Sequence, residues 1–207
     1  MKKIIIFDVM GVIFEVGDDT NELLVPYLLN LNSSINKTMI NEYYKQASLG
    51  EISSHEFWMN LGFASKDIEI IEKKYLETCL TLDQSFIGSV KKIKDRGYIT
   101  ALLSNDVSEW GQYLRNIHDI DKYIDFTFIS GDVGIRKPDP EIYKIALEKM
   151  DAKPSECIFI DDDPLRVEAA EKLYITSILF NRECHKYNGL QIFSFSDLLK
   201  FLGINER

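Results

Sequence analysis

Five short apolar runs punctuate this chain, each stopping at a polar residue: IIIF before Asp8, YITALL before Ser104, FTFI before Ser130, CIFI before Asp161 and ITSILF before Asn181. Continuous runs of this length predict strands buried on both faces. Between them, SFIGSVKKIKDRG, EWGQYLRNI, PEIYKIALEKM and PLRVEAAEKL repeat their apolar residues three or four apart, the spacing of amphipathic helices. Strands alternating with helices predict an α/β fold, a parallel five-stranded sheet covered on both faces. Residues 16–82 break the alternation. They carry no strand-like run and read as helices in NELLVPYLLNL, TMINEYYKQASLG, SHEFWMNLG and IEIIEKKYLETCL. So long a segment exceeds a simple crossover. It is expected to form a small all-helical cap beside the C-terminal edge of the sheet, with 1–15 and 83–207 as the core. The tail FSFSDLLKFLGINER reads as a final short helix that frays.

Composition narrows the classes. Of 207 residues, 33 are acidic and 24 basic, a formal charge of -9 that opposes non-specific binding to nucleic acid or an anionic membrane surface. An anionic substrate would need a local cation. Cys79, Cys157 and Cys184 are odd in number and widely spaced, which argues against a disulfide framework or a zinc site and fits a reducing cytoplasm. MKKIIIFDVMGVIF has the basic start and apolar stretch of a leader, but Asp8 interrupts it, and the stretch reads as a buried strand. No run approaches the length of a membrane span. His55, His118 and His185 share no ligand spacing and read as surface or core residues, while Tyr43, Tyr44, Phe57, Trp58 and Trp110 read chiefly as packing residues.

The strand ends carry the chemistry. Asp8, Ser104-Asn105 and Asp161-Asp162 each follow an apolar run, and Lys137 lies in the loop after the third. In a parallel sheet these positions converge at the carboxyl edge, where open α/β sheets bind ligands. Oxygens of Asp8, Asp161 and Asp162 suit Mg²⁺, which typically takes one or two carboxylates together with water and phosphate oxygen. Lys137 and the Ser104 hydroxyl would neutralise and bind a transferring phosphoryl group, and Asp8 would attack phosphorus. Three consecutive aspartates, Asp161 to Asp163, repel one another without a cation, although a helix N-terminus also favours acids.

IIIFDVMGVIF, ALLSNDVSEW, SGDVGIRKPDPEIY and CIFIDDDPLRVEAA resemble, in order and spacing, the four motifs of the haloacid dehalogenase superfamily of hydrolases. The resemblance implies a Rossmann-like three-layer core with a helical cap. It implies Asp8 as nucleophile, Ser104, Asn105 and Lys137 at the phosphate, and Mg²⁺ held by Asp8, the Met10 backbone carbonyl, Asp162 and, in support, Asp161. The implied substrate is a small phosphorylated metabolite. Nothing in the sequence selects monomer or dimer.

Two positions depart from the family pattern. Met10 stands where family phosphatases usually carry a second aspartate that protonates the leaving oxygen, and a thioether cannot do so. Such general acid-base help is typically worth about 10² to 10⁴ in rate. Glu15 and Asp18 are the nearby acids that could replace it. Arg166 stands where an asparagine is frequent. The alternatives are a phospho-ligand-binding pseudoenzyme, a haloacid dehalogenase or a C–P hydrolase using Lys37 or Lys45. The acidic pair, and the lack of any arginine within 16–82, oppose dehalogenation.

Overall fold

The structure is a computed structural model and describes residues 3–204. The five apolar runs form β1 (Ile4–Phe7), β2 (Ile99–Ser104), β3 (Phe126–Ile129), β4 (Cys157–Asp161) and β5 (Thr176–Phe180). A sixth strand, β6 (Gln191–Ile192), corrects the expected count of five. Two residues long, one of them polar, it lacks the apolar run that announces a buried strand. Backbone pairing along the edge of β5 makes it one. The sheet is wholly parallel, in the order β3-β2-β1-β4-β5-β6.

Alternation along β1 builds two cores. Ile5 and Phe7 face one side of the sheet and Ile4 and Ile6 the other, and all four are buried. The first face is covered by α5 (Phe86–Asp95) and α6 (Ser108–Ile117) through Phe86, Val90, Trp110 and Leu114. A short α7 (Ser130–Val133) follows β3. The second face carries α8 (Pro140–Lys149) and α9 (Pro164–Glu171), through Ile142, Tyr143, Ala146 and Ala170. The last helix, α10 (Phe195–Phe201), packs Phe195, Leu198 and Leu199 into the first core. The predicted fraying beyond Ile204 lies outside the described residues. No helix among the described residues is long and apolar enough to cross a membrane.

The stretch between β1 and α5 contains a π-helical turn at Thr20–Leu24 that runs into α1 (Val25–Leu31), then α2 (Lys37–Ala47), α3 (Ser54–Asn60) and α4 (Ser65–Thr78). Local signals set their ends. Asn36 caps α2 by accepting from Thr38 N, and Ser53 with Glu56 forms a capping box at the start of α3. These helices dock on α6 through aromatic rings: Tyr44, Phe57, Trp58 and Tyr75 each lie within 6.1 Å of Trp110, centroid to centroid. One oxygen of Glu72 accepts from both indoles, Trp58 Nε1 and Trp110 Nε1, each at 2.6 Å. The aromatic packing read from the sequence is thus what joins the helical segment to the sheet layer.

Candidate functional site

Each strand ends by delivering a polar residue to the same edge. β1 runs on through Asp8, whose N–H donates to Ile160 O of β4 at 2.8 Å, so the Asp8 side chain stands beside Asp161. Around Asp8, Met10 and Ser104 opens a cavity of about 380 Å³, walled also by Asp19, Tyr44, Asn105, Arg136, Asp162, Arg166 and His185.

Lys137 is fully buried at the bottom of this site. Its Nζ lies 2.8 Å from Asp8 Oδ1 and 2.6 Å from Asp161 Oδ2. Asn105 holds it there: Asn105 Oδ1 accepts from Lys137 N and Asn105 Nδ2 donates to Lys137 O, both at 2.8 Å. The Asn105 side chain is therefore spent on placing the lysine loop. Asp8 Oδ1 also accepts from Val9 N at 2.7 Å. Ser104 is buried at the end of β2 and borders the cavity.

The three consecutive aspartates divide their work. Asp163 caps α9 by accepting from Leu165 N at 2.8 Å, the ordinary helix-start role. Asp161 is wholly buried, with one oxygen on Lys137 and the other accepting from Asp163 N at 2.9 Å. Asp162 faces the cavity, and its Oδ1 is buried with no hydrogen-bond partner. The backbone of the turn after β1 closes tightly on it: a Cβ on Gly11 (φ +74°) or Gly17 would stand 2.2 or 1.9 Å from Asp162 Oδ2. At Gly11 the positive φ also calls for glycine, while at Gly17 a side chain would push the Asp162 carboxylate aside.

Electrostatics at the site follow from crowding. Burial, then the neighbouring Asp161 charge, pushes the Asp8 carboxyl up to about 6 despite Lys137 and Arg166. Burial, then Asp8 and Asp161, raises Asp162 to about 8. Oxygens of Asp8, Asp161 and Asp162 lie within 4.8 Å of one another. Three acids so close, one with an oxygen that lacks a hydrogen bond, are a donor set of the kind that could hold a hard divalent cation.

Several wall residues are absent from the sequence-derived site, among them Arg136, His185, Asp19 and Arg166. Arg136 donates to Ser48 Oγ and lies over the Tyr44 ring, 5.6 Å from its centroid. Its only sequence signal is adjacency to Lys137. His185 reaches the rim from the loop after β5, with Nε2 3.2 Å from Glu183 Oε2. Asp19 is 6% exposed, and burial followed by the Asp18 charge raises it to about 7. By contrast Glu15 is exposed, and Asp18 is exposed and bound to the Asn21 amide at 3.0 Å. Arg166, read from the sequence only as a departure, sits among the acids themselves.

Comparison with known proteins agrees with this architecture. A haloacid dehalogenase-like hydrolase family profile matches residues 2–173. The chain is 31% identical over 110 residues to bifunctional epoxide hydrolase 2 of Sus scrofa, covering 48% of this chain and 20% of that protein. It is 30% identical over 95 residues to (S)-2-haloacid dehalogenase 4A of Burkholderia cepacia, covering 46% and 41%. It is 27% identical over 173 residues to the sesquiterpene phosphatase astK of Aspergillus oryzae, covering 82% and 85%. The chain thus spans about a fifth of the first of these relatives and about two fifths of the second. Among solved structures, the HAD phosphatase of Thermococcus onnurineus superposes with a TM-score of 0.72 at 21% identity, covering 98% of both chains. A HAD-family enzyme of Bacteroides thetaiotaomicron, solved with magnesium and inorganic phosphate, gives 0.69 at 20% identity, covering 86% of this chain and 94% of that one.

Proposed function

Because this chain belongs to the haloacid dehalogenase-like hydrolases, we propose that it is a magnesium-dependent phosphohydrolase of small phosphate monoesters, working through an aspartyl-phosphate on Asp8. The observation that carries the reading is Asp162 Oδ1, a buried carboxylate oxygen with no hydrogen-bond partner, beside two further aspartates. A dehalogenase of this superfamily needs no metal and has no use for such an oxygen. Asp8, Asp162 and the Met10 carbonyl would hold Mg²⁺, with Asp161 in support. When bound, the ion supplies positive charge to the non-bridging oxygens of the phosphoryl group.

The rest is done by side chains. Lys137 keeps Asp8 ionised and adds its own charge to the phosphoryl group, while Ser104 donates to a phosphoryl oxygen. An Asp8 oxygen attacks phosphorus, the P–O ester bond breaks, and the leaving oxygen takes a proton. Met10 cannot give it, and we assign that role to Asp19, a buried acid on the same cavity wall whose carboxyl sits near 7. The Asp19 carboxylate then takes a proton from the water that attacks phosphorus, the P–O bond to Asp8 breaks, and phosphate leaves. Helices α1–α4, within 16–82, act as the cap over this cavity, and α2 contributes Tyr44 to its wall.

The test is phosphate release from alkyl and aryl phosphates with Mg²⁺. Asp19→Asn should slow alkyl phosphate hydrolysis by about 10² or more while sparing aryl phosphates, whose leaving groups need little protonation. Its pH-rate profile should lose the descending limb near pH 7 that an acid of this kind imposes on the wild type. Met10→Asp should raise the rate on alkyl phosphates. If no variant, nor the wild type, releases phosphate from either class, the protein is a binding module and the hydrolase reading fails.

Gly17→Ala should separate site geometry from fold. Its Cβ meets the free end of Asp162, which can swing away, so the melting temperature should change little. Displacing that oxygen by about 1 Å should cost about 10² in kcat/KM. Wild-type activity in this variant would show that the position of Asp162 is unimportant.

A further inference from the structure

The acid cluster already contains a cation, and it belongs to the protein. Arg166 Nη1 lies 3.1 Å from Asp8 Oδ2, 3.6 Å from Asp161 Oδ1 and 3.8 Å from Asp162 Oδ1. Its Nε lies 3.3 Å from Asp163 Oδ2. One guanidinium nitrogen is therefore shared by the three aspartates whose oxygens converge within 4.8 Å. Magnesium demands oxygen ligands at about 2.0–2.1 Å. The carboxylates cannot close to that distance while a nitrogen holds the space between them.

The surroundings let the side chain leave without disturbing the fold. The Arg166 backbone is pinned, its carbonyl accepting from Tyr143 Oη at 3.0 Å and its N–H donating to Asp163 O at 3.0 Å. The side chain is 23% exposed and borders the cavity, so an outward swing leads into solvent rather than into the core. The charge count gives a reason for the inward position. Four carboxyl groups, Asp8, Asp161, Asp162 and Asp163, face two cationic side chains, Lys137 and Arg166. Without Arg166 the metal-free cluster would set four carboxyls against one cation.

We propose that Arg166 is an internal competitor of the divalent cation, occupying the metal position in the metal-free protein and swinging into the cavity when the ion binds. The proposal rests on the reading of this cluster as a metal site. Arg166 then sets metal affinity, making occupancy depend on the free cation concentration. It also keeps the empty site from flying apart.

Titration calorimetry with Mg²⁺ alone, without substrate, on wild type and Arg166→Asn tests it. The variant should bind Mg²⁺ about ten- to a hundred-fold more tightly, the scale of one lost charge-assisted contact. In EDTA the variant should melt below the wild type, and saturating Mg²⁺ should raise its melting temperature more. A second measurement needs no folded variant: in wild-type protein the Arg166 Nε–Hε nuclear magnetic resonance signal should shift as Mg²⁺ is added. Equal Mg²⁺ affinity in the two proteins, or an unmoved Arg166 signal while the heat of binding saturates, would overturn the competitor role and leave the metal site standing. Absence of Mg²⁺ binding to both proteins would overturn the metal reading and this proposal with it.

Discussion

Asp8→Asn should abolish phosphate release, by about four orders of magnitude or more, while leaving the protein at least as stable as before. The two halves of this expectation share a cause. The carboxylate is held at the end of β1 by Lys137 at 2.8 Å, Arg166 at 3.1 Å and Val9 N at 2.7 Å. An amide of the same shape keeps the Lys137 and Val9 contacts through its oxygen and turns its NH2 toward Arg166, which borders the cavity, and that oxygen is neutral and poorly nucleophilic. The same carboxylate is 2% exposed, and burial with the adjacent Asp161 pushes it up to about 6, so its charged form strains the fold. Removing the charge removes the strain. Phosphate release from an aryl phosphate measures the first half and a melting curve in EDTA the second. Substantial turnover by a folded Asp8→Asn protein would refute the aspartyl-phosphate mechanism.

The metal-free protein should melt at a lower temperature at pH 8 than at pH 5.5, the reverse of ordinary acid sensitivity. Burial is the leading cause at four carboxyls, raising Asp8 to about 6, Asp19 to about 7, and Asp106 and Asp162 to about 8. A carboxyl whose folded value lies above its unfolded one binds its proton more tightly in the native state. Its stabilising contribution is complete below about pH 4 and is lost as pH rises through 6 to 8. Each tenfold gain in proton affinity on folding corresponds to about 1.4 kcal/mol, and even with strong compensation the sum should reach a few kcal/mol, several degrees for a domain of this size. Two interventions divide the loss. Mg²⁺ should recover the share belonging to Asp8 and Asp162 by binding their deprotonated forms. Asp106→Asn should recover a share that Mg²⁺ does not, because Asp106 lies away from the metal group, 2% exposed and with Oδ2 unpartnered. A melting temperature that climbs from pH 5.5 to 8 in EDTA would contradict the raised carboxyls.

Much of this molecule is written in its local sequence. Strands β1 to β5 come from apolar runs that cannot be solvated. The helices come from three-and-four spacing reinforced by caps such as Asn36, Ser53 and Asp163. Once a parallel sheet is inferred, the chain order of the runs brings Asp8, Ser104, Asp161 and Asp162 to one edge, because every parallel strand ends on the same side. What stayed hidden depends on contacts between distant segments. β6 exists only because β5 offers an edge to pair with. Lys137 was legible from its place after the third strand, but the clamp by which Asn105, 32 residues earlier, holds its backbone was not. Asp19 and Asp18 are neighbours with the same chemistry, and only the packing around them buries one and exposes the other. Arg166 reads as a substitution on a helix, yet its reach to Asp8, 158 positions away, makes it part of the acid cluster. Sequence by itself determined which acids would meet, since periodicity and strand order are local properties. Tertiary structure decided which are buried, which are paired and which oxygen is left bare, since burial and Coulomb energy depend on every segment that closes around the site.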